Sequence, residues 1–148
     1  MTTRPSDDLL CRILTETKII ALVGASNKPE RPSNGVMRFL QSRGYRVIPV
    51  NPGLAGQTLN GELVYASLKD IPQDKVGRID MVDIFRNSAD AAKPALEAIE
   101  IGARFVWMQL DVVNEAAAAK VREAGLEIVM DRCPAIEYPR LIGGGAEH

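Results

Sequence analysis

Short apolar runs and amphipathic stretches alternate along the chain. "KIIALV" (residues 18–23) is continuously apolar after its lysine, as a strand buried on both faces requires. "YRVIPV" (45–50), "IDMVDIF" (79–85), "RFVWMQL" (104–110) and "LEIVM" (126–130) read as further strands. Between them, apolar residues recur at helical spacing. "SDDLLCRILTE" (6–16) opens with Ser6 as a capping residue and places Leu9, Leu10, Ile13 and Leu14 on one face. Further helices are predicted over Ser33–Arg43, closed by Gly44, over Ser88–Gly102, and over Asn114–Gly125. Pro94 predicts a kink in the third helix or a later start. Residues 53–78 are the least regular, with a short strand near Leu63–Tyr65 and one helical turn at Ser67–Ile71.

Strands alternating with amphipathic helices imply a doubly wound α/β domain: a parallel sheet with helices on both faces. The expected strand order is 3-2-1-4-5-6 or a five-stranded version of it. Ligands in such sheets sit beyond the C-terminal strand ends, near the point where the order reverses. That rule selects Gly24-Ala25-Ser26, Asn51-Pro52, Phe85-Arg86-Asn87, Gln109-Leu110 and Asp131-Arg132-Cys133.

At 148 residues the chain fits a single domain, expected over 6–142, with "GGGAEH" as a flexible tail. A net charge of −1 gives no global attraction to nucleic acid or anionic membrane. Local charge says more. Lys28, Arg31, Arg38, Arg43 and Arg46 against Glu30 give residues 28–46 a net +4, leaving −5 for the remainder. No segment approaches the roughly 20 apolar residues of a membrane helix, and "MTTRPSDDLL" lacks a signal pattern, so a cytoplasmic protein is expected. Two isolated cysteines, Cys11 and Cys133, argue against a disulfide framework or zinc site. A single histidine, His148, disfavours His-based catalysis.

The turn after the first strand carries the candidate chemistry. "GASNKPERPSNG" is not G-x-G-x-x-G, because the next glycine after Gly24 is Gly35. Nor does the second strand end in an acid to grip a ribose; it ends in Asn51. No P-loop is present. A helix beginning with Ser33, Asn34 and Gly35 nevertheless offers free N–H groups and a positive dipole end to an anion. Lys28 and Arg31 stand just before it, able to add charge-assisted hydrogen bonds.

"VGASNKPERPSNGVMRFLQSRGYRVIPVNP", with "GELVYASLKDIP", "IDMVDIFR", "GARFVWMQLDVVNEAAAAKVREAGLEIVMDRCP" and "IEYPRL", closely resembles the small stand-alone CoA-binding domain proteins of bacteria. These are relatives of the CoA-binding domain in the succinyl-CoA synthetase α-subunit. The resemblance spans about residues 8–142 and implies a Rossmann-like domain that holds coenzyme A, often without catalytic activity. It implies backbone contacts from Gly24, Ala25 and Ser26 to the diphosphate or pantetheine. Arg31, Pro32 and Ser33 would close over the phosphates, Asn51 and Pro52 would lie beside the adenosine, and Phe85 and Arg86 would border the pocket. The synthetase relatives carry a lysine that pairs with the 3′-phosphate, and Leu54 stands in the corresponding region here. Lys28, Arg31 and Arg86 are the candidate replacements.

No catalytic or metal-binding set emerges. A non-catalytic CoA-binding protein, acting as carrier, sensor or subunit of an acyl-CoA system, is the leading reading. A small NADP-dependent oxidoreductase and an interaction module with a vestigial pocket are the alternatives. An edge strand and the N-terminal helix offer surfaces for a homodimer. Cys133 and Trp107 are expected to be core residues, Asn114 a helix cap, and Asp80 and Asp83 partners for Arg78 or Arg86.

Overall fold

A computed structural model describes residues 5–142; the expected flexible tail and His148 lie outside the described residues. The chain begins α1 (Asp7–Glu16), β1 (Ile19–Val23), α2 (Pro32–Ser42) and β2 (Arg46–Val50). A small hairpin, β3 (Thr58–Leu59) and β4 (Glu62–Leu63), leads to the short α3 (Gln73–Val76). Then come β5 (Met81–Ile84), α4 (Ala92–Glu100), β6 (Phe105–Met108), α5 (Glu115–Glu123), β7 (Glu127–Val129) and α6 (Pro134–Ile142). The main sheet has five parallel strands in the order β2-β1-β5-β6-β7. That is the five-stranded version of the expected topology, and the order reverses between β1 and β5.

Side chains alternate across the sheet as the pleat demands. Ile20, Leu22, Met81, Phe105 and Trp107 join the core under α1, α2 and α6. Ala21, Val23, Val82, Ile84 and Val106 join the other core, under α4 and α5. Both faces are covered, which is why the strands read as unbroken apolar runs. Ser6 caps α1 by accepting the Leu9 N–H, and Asn114 caps α5 by accepting that of Ala117.

Three departures from the sequence pattern have physical causes. The strand expected near Leu63–Tyr65 is a hairpin arm, and only Tyr65 reaches the sheet, bridging to Val50 at the β2 edge. Of the two outcomes expected from Pro94 the later start is the one found: α4 begins after a 3₁₀ turn over Ala89–Ala91, so Pro94 falls in the first turn where a missing N–H costs nothing. Ser88 does not cap it; its hydroxyl accepts the Val113 N–H instead. Three elements were not predicted: the two-residue β3, the four-residue α3 and the nine-residue α6, whose internal Pro139 is a poor helix signal. Tertiary contacts hold α6 down: Tyr138 meets Phe39 and Tyr45 edge to face, and Arg140 bonds Asp7 of α1.

Candidate functional site

Gly24 follows β1 directly, at the point where the strand order reverses. Its φ is +90°, and a Cβ there would lie 2.1 Å from the carbonyl oxygen of Phe85, so only glycine fits. The N–H groups of Gly24 and Ala25 both donate to the Val50 carbonyl, at 3.0 and 3.3 Å. Asn51 braces the turn from one side, donating to the Ala25 carbonyl at 2.7 Å and accepting the Gly53 N–H at 2.8 Å. Asn34 braces it from the other, donating to the Ser26 carbonyl at 2.8 Å while accepting from Arg38. The turn is therefore held in shape by protein contacts alone.

Free donors remain beyond the braces. The N–H groups of Ser26, Asn27 and Ser33 take no partner among the described residues. Arg31 occupies the N-cap position of α2 without a side-chain cap, and Pro32 follows as the first helical residue. An eleven-residue helix thus presents an uncapped positive end. Lys28 and Arg31 are both exposed beside it.

Across the sheet from α2, on the α4 side, a cleft of about 470 Å³ opens at the C-terminal ends of β1 and β2. Val23, Val50 and Pro52 form its floor, and Ala66 and Leu68 form one wall. The facing wall is the start of α4, with Ala92 and Pro94 beside the polar groups Asp90, Lys93 and Glu97; Arg86 enters from the β5 end. Ser67 donates its hydroxyl to Asp70 at 3.0 Å, and Asp90 is tied to Asn87 by two bonds of 2.9 Å. Arg86 and Lys93 have no ion-pair partner among the described residues.

Of the residues singled out from sequence, Pro52 and Arg86 line this cleft. Gly24, Ala25, Ser26 and Asn51 follow directly on strand ends that line it. Lys28, Arg31, Pro32 and Ser33 belong to the loop and helix start on the α2 side. Phe85 packs with the core on that same side, and its place at the turn is the carbonyl that excludes a side chain from Gly24. Sequence reasoning missed Ser67, Lys93 and Glu97 in the cleft; it put Asn34 and Gly35 in the first turn of α2 with free N–H groups, but both donate to the Arg31 carbonyl, and it missed the Asn34 side chain under the turn. Lys93 left a signal: the proline after it confines it to a helix start, and helix starts that follow strands lie at this edge.

Asp80 and Asp83 do not pair with Arg78 or Arg86. Asp80 accepts the N–H groups of Lys18 and Ile19, and Arg78 donates to the Gly102 carbonyl. Asp83 is fully buried between Leu22 of β1 and Trp107 of β6. Burial pushes its carboxyl well above the usual carboxylate range. The Gln109 side-chain amide faces it, 2.9 and 3.2 Å from its two oxygens, where the amide oxygen can accept from a protonated carboxyl or the amide nitrogen can donate to a carboxylate. Trp107 is core, its indole N–H donating to the Arg132 carbonyl at 2.9 Å. Cys133 is buried at the head of α6, where its carbonyl accepts the N–H groups of Ile136 and Glu137. No helix among the described residues is long and apolar enough to cross a membrane.

Five parallel strands, helices on both faces and a cleft at the reversal of strand order define a Rossmann-like α/β domain. A family model described as "CoA binding domain" matches residues 18–139, and the chain belongs to that family. It is 38% identical over 129 residues to the uncharacterized protein YneT of Bacillus subtilis (strain 168), covering 87% of this chain and 91% of that one. A crystal structure of Prb, a redesign for binding of the protein PH1109, is 42% identical with a TM-score of 0.90, covering 100% of both chains. A hypothetical protein from Pyrococcus horikoshii OT3 is also 42% identical, with a TM-score of 0.87, covering 97% of this chain and 99% of that one.

Proposed function

We propose that the protein binds coenzyme A, with the diphosphate at the turn after β1 and the start of α2, and the adenosine end in the cleft beside β2. Membership of the CoA-binding domain family is the observation that carries this reading. The geometry supports it in three ways. The braced turn leaves the Ser26, Asn27 and Ser33 N–H groups for phosphate oxygens, with Lys28 and Arg31 at hand for charge. Val50, Pro52 and Leu68 offer an apolar surface to a base. Arg86, just beyond the end of β5, lines the cleft and adds a cation there.

The role proposed is non-catalytic: carrier, sensor or subunit of an acyl-CoA system. The polar groups of the cleft are suited to holding charge, and the Ser67 hydroxyl is already given to Asp70. Thermal unfolding of nucleotide-free protein with CoA, NADP and NAD tests the reading. CoA at about a hundred times its dissociation constant is expected to add about 2.7 kcal/mol, while NAD and NADP add little. A flat response to CoA from demonstrably empty protein overturns it.

A further inference from the structure

Resting on that reading, we propose that Lys93, supported by Arg86, reads the ribose 3′-phosphate of coenzyme A. A phosphate monoester carries close to two negative charges at neutral pH and needs cations where water is partly displaced. The β2 side of the cleft supplies none, because residues 51–57, "NPGLAGQ", hold no charged side chain. Cations elsewhere near this edge are committed. Arg38 bonds Asn34 and the Pro29 carbonyl, Lys69 pairs with Glu100, and Arg132, beyond β7 at the far end of the sheet, donates to the Asp131 carbonyl. Lys28 and Arg31 lie on the other face of the sheet, beside the start of α2.

Within the cleft, the remaining polar groups are already bonded to residues outside it or carry the wrong sign. Ser67 is bonded to Asp70 and Asp90 to Asn87. Glu97 stands four residues beyond Lys93, one turn further from the strand ends, and forms no ion pair with it. That leaves Arg86 and Lys93 facing an apolar floor wide enough for a base, the arrangement a phosphorylated adenosine requires. Lys93 is an exposed side chain in the first turn of α4, so its position owes nothing to core contacts.

The same chemistry would suit the 2′-phosphate of NADP, and calorimetric titration separates the two sources. CoA, dephospho-CoA, NADP and NAD are titrated into the wild type, Lys93→Ala and Lys93→Arg. The wild type is expected to favour CoA over dephospho-CoA by about tenfold, a preference lost in Lys93→Ala and kept in Lys93→Arg. Unfolding temperatures matching the wild type show that the variants are folded. A Lys93→Ala protein that keeps the preference, or a wild type without one, overturns the assignment while leaving CoA binding intact. Failure of the wild type to bind either CoA or dephospho-CoA overturns the CoA reading itself. A Lys93-dependent preference for NADP over NAD without CoA binding moves the cation to a 2′-phosphate and likewise overturns the assignment.

Discussion

Asp83 is a carboxyl group with no cation near it, inserted between two apolar strands two residues before the carbonyl that seats Gly24. Desolvation holds its proton on, and Gln109 can meet either ionisation state by presenting its amide nitrogen or its oxygen. The sign of the pH effect follows. In the unfolded chain Asp83 loses its proton near the ordinary carboxylate value of about 4, whereas in the folded state it keeps it to higher pH. Stability from this site is therefore present at low pH and lost as pH rises through the window above the unfolded value. Asp83→Asn, which keeps the shape and a partner for Gln109, removes the ionisation. Unfolding midpoints of the two proteins should agree near pH 4 and separate by pH 8, with the variant the more stable. A wild type that gains on the variant as pH rises would mean that the carboxylate is favoured where it sits.

α6 shows how an element can exist against its own propensity. Pro139 costs it a backbone hydrogen bond, and nine residues are too few for a helix to persist in isolation. Docking replaces what propensity lacks. The Tyr138 ring lies 6.1 Å from Phe39 and 6.0 Å from Tyr45, both edge to face, and Arg140 ties the helix to Asp7 of α1. Burial raises the Tyr45 hydroxyl pKa above its ordinary value, and that hydroxyl donates to the Leu14 carbonyl, so α1, α2 and α6 share one aromatic joint. Tyr138→Ala should cost about 2 kcal/mol in urea unfolding, since it removes two aromatic contacts and leaves a gap under the helix. The pair between Arg140 and Asp7 is exposed and screened by solvent, so Asp7→Asn should change stability little. An equal loss in both variants would place the attachment of α6 in its charges rather than its ring.

For the whole molecule, the proposed ligand has to cross the edge of the sheet, from the start of α2 on one face to the α4 cleft on the other. CoA should then slow amide hydrogen exchange at Ser26 and Asn27 and at Ser67 and Leu68 together. Slowing confined to one of those segments would mean that the ligand occupies one face only. The layered fold was legible in the chain because each strand is buried on both faces and each long helix on one, and those conditions write themselves as apolar runs and helical spacing. The turn after β1 and its basic surroundings were legible for the same local reason. Side-chain partners were not. Asp83 with Gln109, Tyr138 with Phe39, and Asn34 with the Ser26 carbonyl are set by strand register and by which face each helix covers. By itself the sequence determined a parallel sheet, its strand-end loops and a basic segment after β1, all properties of neighbouring residues. Only the tertiary structure decided that Lys28 and Arg31 stand on one side of the sheet and Lys93 and Arg86 face the cleft on the other, because a charge belongs to a site through the folding of the chain around it.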